Sequence, residues 1–205
     1  MPGCCQHDAP PLARDPRYRR VLWTVIALNL AMFAVEMMAG IQGKSLALQA
    51  DALDFLGDGI TYAMSLAVLT AALRVRATIA LIKGLSLALL AAWILASAIY
   101  RVFVLGDPSA MIMGTVGGLA LAANVVSALL LMRYRAGDAN VRSVWLCSRN
   151  DAIGNVAVIG AAGLVATTGT PWPDLVVAAA MAALFLSSAA SIVRQSLAEL
   201  TPATA

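Results

Sequence analysis

Six apolar runs, each long enough to cross a bilayer, dominate the chain: residues 21–40, 45–73, 78–105, 109–132, 141–168 and 173–193, parted by charged residues or by Gly and Pro. A hydrocarbon core about 30 Å thick takes about 20 helical residues to cross. Six spans therefore consume nearly all of the 205 residues and leave no room for a sizeable soluble domain. The expected fold is all-α: a polytopic membrane bundle of six transmembrane helices without a C-terminal soluble domain. Composition agrees, since 61% hydrophobic and 12% charged residues cannot make a water-compatible surface around so small a core. The expected organisation is an N-terminal tail over 1–20, a transmembrane domain over 21–195 and a short C-terminal tail over 196–205.

The charges then orient the bundle. The 14 Lys and Arg against 11 Asp and Glu give a net charge of +3, but the basic residues sit in short loops and form no nucleic-acid-binding face. Arg14 to Arg20, Arg74 and Arg76, Arg133, Arg135 and Arg142, and Arg194 alternate with connections that hold Lys44 or no basic residue. By the excess of positive charge on the cytoplasmic side, both termini are expected in the cytoplasm. The first twenty residues lack the apolar core and cleavage site of a signal peptide, so the first span is expected to be retained. Cys4 and Cys5 are adjacent and Cys147 lies in or beside an apolar run, so no disulfide framework is implied. Short connections at 41–44, 106–108 and 169–172 predict that consecutive helices are antiparallel neighbours. Gly114 with Gly118, and Gly160 with Gly163, predict close helix approach.

Against this background the informative residues are those that lipid does not tolerate: Glu36 in the first span, Asp51, Asp54 and Asp58 in the second, and Asp151 in the fifth. An intramembrane carboxylate normally faces the bundle interior and has a function. At about 100° per residue, Asp54 and Asp58 lie one turn apart and Asp51 falls about 60° from Asp54, so the three share one stripe. Their mutual repulsion is relieved only by protons or a bound cation, which makes the stripe a place where the two compete. Asp51 has a second reading, as a helix cap or a residue at the outer interface. In the fifth span Asp151 and Asn155 repeat the one-turn spacing, with Asn150 beside them and Cys147 a turn earlier.

Together Asp54, Asp58, Asp151 and Asn155 offer four side-chain oxygens, enough for a tetrahedral or, with water, an octahedral cation site. The one histidine, His7, is in the tail and cannot join them. An all-oxygen set favours harder ions such as manganese or ferrous iron, although zinc also accepts carboxylate. Glu36 and Asn29 share a face of the first span and, with Asp51 as an attractor or proton entry at the outer mouth, could form a second polar shell or proton path around this site. Asn29 and Asn124 read first as interhelical hydrogen-bonding amides. Cys4, Cys5 and His7, with Asp8, gather metal donors in the tail, a weak capture signal beside the plainer reading of a flexible tail. No Ser, Cys and His arrangement near the membrane interface suggests an enzyme.

The residues resemble the cation diffusion facilitators, a family of six-helix metal/proton exchangers. The resemblance runs through Asn29, Glu36, Gly40, Ser45, Leu48 and the stretch from Ala50 to Asp58, and again through Ser148 to Asn155. It implies that Asp54 and Asp58 form half of the transport site and that Asp151 and Asn155 form the other half, with Asn155 standing where the family has Asp. It further implies export of a divalent metal, zinc first and manganese, iron, cobalt or cadmium after it, in exchange for protons and without a bound cofactor. The resemblance spans residues 21–194, and the soluble cytoplasmic domain usual in the family is not expected. A homodimer would then be built through membrane helices in the lipid bilayer, in the inner membrane of a bacterium. Two other readings use the same residues: a non-transporting metal-binding scaffold or sensor derived from such a transporter, and a carboxylate-lined channel.

Overall fold

A computed structural model of the protein describes residues 15–67, 73–104, 107–134 and 139–200. Cys4, Cys5 and His7 lie outside the described residues. Six helices follow in order: α1 (Pro16–Gln42), α2 (Leu46–Ala67), α3 (Leu73–Phe103), α4 (Ala110–Met132), α5 (Ala139–Thr168) and α6 (Trp172–Leu200). Helices α3, α5 and α6 run past the expected apolar boundaries because charged residues such as Arg74 and Arg194 continue the helix beyond the apolar run.

Local signals set the helix ends. Asp15 caps α1 by accepting from the Arg17 N–H at 2.8 Å, with Pro16 opening the helix. The α1–α2 connection is a tight turn in which Ser45 N–H donates to Gly40 O at 2.9 Å and Lys44 takes a positive φ of 53°. The Ser109 N–H donates to Gly43 O at 2.8 Å and ties the start of α4 to this turn. The end of the bundle that holds the 43–45 turn and the starts of α2, α4 and α6 is called the hairpin end below.

Five of the six helices are long and apolar enough to cross a membrane; α2 is the exception among the described residues. Its three aspartates interrupt every long window along it. The bundle answers this by placing α2 at its centre, where it touches all five other helices. The principal pairs are α1 on α2, α4 on α5 and α3 on α6. Consecutive helices are thus not always neighbours: α3 leaves α4 and packs on α6. There Ala91, Ile94 and Ala98 of α3 meet Leu175, Ala178, Ala182 and Phe185 of α6 over Leu46, Ala50 and Leu53 of α2. Small residues on both helices permit the close approach that replaces the hydrophobic drive missing in lipid. Outward faces carry exposed Leu89, Trp93, Phe103 and Met111, as helices solvated by lipid should.

Close approach also falls on glycines other than the expected ones. No atom lies within 4 Å of where a Cβ would stand at Gly118, Gly160 or Gly163, and Gly114 would make only an ordinary contact. The tight positions are Gly43 against Ile112, Gly59 against Leu30, Gly84 against Ile192 and Val193, Gly117 against Val158 and Ile159 of α5, and Gly40, where a Cβ would stand 2.9 Å from Gln49 Cγ and 3.1 Å from its backbone N. Spacing alone cannot tell which face of a helix meets a partner. Gly40→Val is expected to destabilise the α1–α2 hairpin by about 1–3 kcal/mol, the usual cost of overpacking. A lower thermal midpoint in detergent checks it.

Candidate functional site

Polar side chains line the interior of the bundle. Asp54 and Asp58 of α2 and Asp151 of α5 are half-buried. The Asp151 carboxyl lies within hydrogen-bonding reach of both Asp54 and Asp58. The one-turn spacing on α2 aims two carboxylates the same way, and the α2–α5 contact brings the third to them. Among the described residues no three His, Cys, Asp or Glu side chains are gathered closely enough to hold a metal ion. The three aspartates are therefore a loose cluster that would have to draw closer around a cation, with water or Asn155 filling the rest of its coordination sphere.

Asn155 lies one turn along α5 from Asp151 and is fully buried. Its amide oxygen accepts from Asn124 Nδ2 of α4 at 3.3 Å, while its own Nδ2 has no acceptor. The interhelical role expected of Asn124 is thus present, and its partner is a residue of the expected site. Asn29 behaves otherwise: its Nδ2 donates to Val25 O of its own helix at 2.8 Å, one turn back. A short amide satisfies itself on its own backbone when no facing helix presents an acceptor.

Asp51 is not a cap. It is the sixth residue of α2, 1% exposed, and its carboxyl faces that of Glu36, which is fully buried on α1. Both Glu36 oxygens and Asp51 Oδ2 lack a donor. Asp54 is near enough for its charge to act on Glu36. Asp54 thus links the Glu36–Asp51 pair to Asp58 and Asp151.

Capping of α2 falls to residues that sequence reasoning passed over. Asp174, in the first turn of α6, accepts from Ser45 Oγ at 2.5 Å, Leu46 N–H at 2.8 Å and Ala47 N–H at 3.1 Å. Ser45 Oγ in turn accepts from Leu48 N–H at 3.0 Å. A carboxylate from another helix thus satisfies the orphan donors of a buried N-terminus and complements its positive dipole. Arg101, in the last turn of α3, donates to Lys44 O, so the hairpin end carries two basic residues where Lys44 alone was expected. The readable signal was a carboxylate directly after Trp172 and Pro173, at the start of a span.

Tyr62 also went unnoticed. It is 1% exposed, and its hydroxyl donates to Asp58 Oδ2 from one turn further along α2. Its ring packs with Tyr18, Leu22 and Leu131 at the end of the bundle remote from the hairpin. Tyr62→Phe keeps that packing and removes one hydrogen bond to a carboxylate, worth about 1.5–3 kcal/mol. Weaker metal binding and a lower unfolding midpoint are expected, measured by titration calorimetry and thermal melts.

A central, carboxylate-bearing helix surrounded by apolar ones defines an integral membrane protein with a charged interior. Residues 22–201 match the family described as the cation efflux transmembrane domain, and the chain belongs to that family. It is similar to the metal cation efflux system protein CzcD of Cupriavidus metallidurans (strain ATCC 43123 / DSM 2839 / NBRC 102507 / CH34). The identity is 29% over 171 residues, covering 78% of this chain and 54% of the relative. The cation efflux system protein CzcD of Alcaligenes sp. (strain CT14) matches equally. The chain thus spans about half the length of these curated relatives.

Proposed function

We propose that this chain exports a divalent transition-metal cation from the cytoplasm in exchange for protons. The observation that carries the reading is the convergence of Asp151 on Asp54 and Asp58 inside the bundle. Carboxylates there bind a cation when ionised and lose it when protonated, so a proton gradient can drive release on the far side. Residues Asp54, Asp58 and Asp151 are the ligands, and Asn155 supplies an amide oxygen. Zinc is the first candidate from the family resemblance, with manganese, ferrous iron, cobalt and cadmium behind it for an oxygen-rich set. Clustered arginines remote from the hairpin end favour cytoplasmic termini in a bacterial inner membrane and a hairpin end that faces outward. Alternating access would rock the helices about the site.

A second reading rests on Asn155, which stands where the family resemblance expects a carboxylate: a membrane scaffold or sensor that binds metal without moving it. Liposomes with an imposed pH gradient separate the two. Uptake of zinc, manganese, cobalt or ferrous iron that follows the gradient and vanishes in Asp54→Ala and Asp58→Ala supports the exchanger. A folded protein that binds metal yet moves none of the four ions overturns it in favour of the scaffold.

A further inference from the structure

A groove of about 690 Å³ opens on the side of the bundle between α3 and the α1–α2 hairpin. Its size falls within the range of about 300–1,000 Å³ usual for ligand pockets. The groove follows from the packing of α3. Ala91, Ile94 and Ala98 turn one stripe of that helix to α6, while Trp93, Ala96, Ser97 and Tyr100 form the stripe beside it. Ile41, Leu46 and Gln49 make the facing wall. The Gln49 amide donates to Gly40 O at 3.2 Å and to Ser45 O at 3.1 Å, so its polar head is already engaged on backbone.

Charge is confined to one end of this groove. Lys44 stands at the rim, and the Arg101 guanidinium reaches across from the last turn of α3 to donate to Lys44 O. A guanidinium carries five N–H donors in a planar fork, so the bond to Lys44 O leaves donors over. Asp174 is the carboxylate whose charge reaches Arg101, and Asp107 is not part of the groove's lining. Two cations against one carboxylate leave one positive charge at the rim. Counting about 1.5 Å per helical residue, Arg101 lies about 3 Å and Trp93 about 15 Å from the end of α3. The second depth is about half of a hydrocarbon core about 30 Å thick. The charged rim is thus at headgroup level, and the apolar floor runs the depth of one leaflet.

From this shape and charge we infer that the groove binds one anionic phospholipid, with its phosphodiester between Lys44 and Arg101 and an acyl chain laid along Trp93 and Ile41. A monoanionic headgroup such as that of phosphatidylglycerol matches the single net positive charge at the rim. Phosphatidylcholine carries the same phosphate together with a quaternary ammonium, which the two cations repel. Tyr100 sits one residue from Arg101, where an amphipathic ring suits the interface. A second copy of this chain is the poorer occupant, because a two-fold axis would bring Lys44 and Arg101 of both chains to one interface. The site lies at the side of the bundle and is independent of the transport reading above.

The test uses the full chain in detergent, stripped of copurifying lipid, and native mass spectrometry with phosphatidylglycerol or phosphatidylcholine added. Wild type should hold one phosphatidylglycerol about fivefold more tightly than phosphatidylcholine, the effect of one charge at a membrane surface. Lys44→Gln and Arg101→Gln should each bring that ratio close to one, and Arg101→Lys should preserve it. Trp93→Ala should weaken both lipids alike, because it removes apolar wall and leaves the charge in place. Circular dichroism checks the fold of each variant, and Lys44→Gln, in an exposed turn, decides the matter if Arg101→Gln does not fold. Equal retention of the two lipids by wild type overturns the site, as does a preference unchanged in folded Lys44→Gln. A lipid-free dimer that Trp93→Ala dissociates also overturns it and gives the groove to a second copy.

Discussion

Asp151→Asn is expected to lower metal uptake driven by a pH gradient by more than about 100-fold, beyond the 10- to 100-fold typical of a residue that only supports a ligand. Asp151 is the one α5 carboxylate within reach of Asp54 and Asp58. The amide has the same shape, so the α4–α5 and α2–α5 packing should survive. What it removes is one of three negative charges and the group that bridges two helices around the ion. Fluorescence of a metal indicator trapped in liposomes reads the flux, and circular dichroism reads the fold. Loss of flux with an unchanged helical spectrum is the expected pair of results. Near-normal flux would mean that the cluster is not on the ion's path.

Asp174→Ala is expected to act on stability instead. The substitution strands the Ser45 hydroxyl and the Leu46 and Ala47 N–H groups at a buried helix start, which now share a single carboxylate. Losing a cap costs about 0.5–2 kcal/mol and leaving a buried donor unpaired about 1–3 kcal/mol, so about 2–4 kcal/mol in all is expected after partial relaxation. Asp174→Asn keeps an acceptor oxygen of the same reach and should cost about half as much. Thermal unfolding in detergent orders the three proteins: wild type above Asp174→Asn above Asp174→Ala. An Asp174→Ala midpoint equal to wild type would mean that the α2 start is held by other contacts.

Much of this was legible in the sequence because membrane physics is severe. A bilayer fixes the length of a helix and penalises every carboxylate, so the helices and Glu36, Asp51, Asp54, Asp58 and Asp151 stand out without any structure. The i, i+4 spacing also placed Asp54 and Asp58 on one face. Partners across helices were not legible. Sequence spacing says nothing of which face of α5 meets α2, or that α3 turns from α4 to α6. It set Glu36 and Asp51 down as separate polar residues, where the folded chain makes them a pair. It passed over Asp174, whose role depends on a helix start 128 residues earlier in the chain.

Glycine spacing illustrates the same limit. Gly114, Gly118, Gly160 and Gly163 have the right intervals for close packing, yet the tight contacts fall at Gly40, Gly43, Gly59, Gly84 and Gly117. The sequence by itself determined the solvent, the helical class and the identity of the charged interior residues, because those follow from transfer free energies that each residue carries alone. Only the tertiary structure decided which carboxylates meet, which amide oxygen is already engaged by Asn124, and what holds the start of α2. Those are properties of pairs of residues on different helices, and they exist only once the helices have packed.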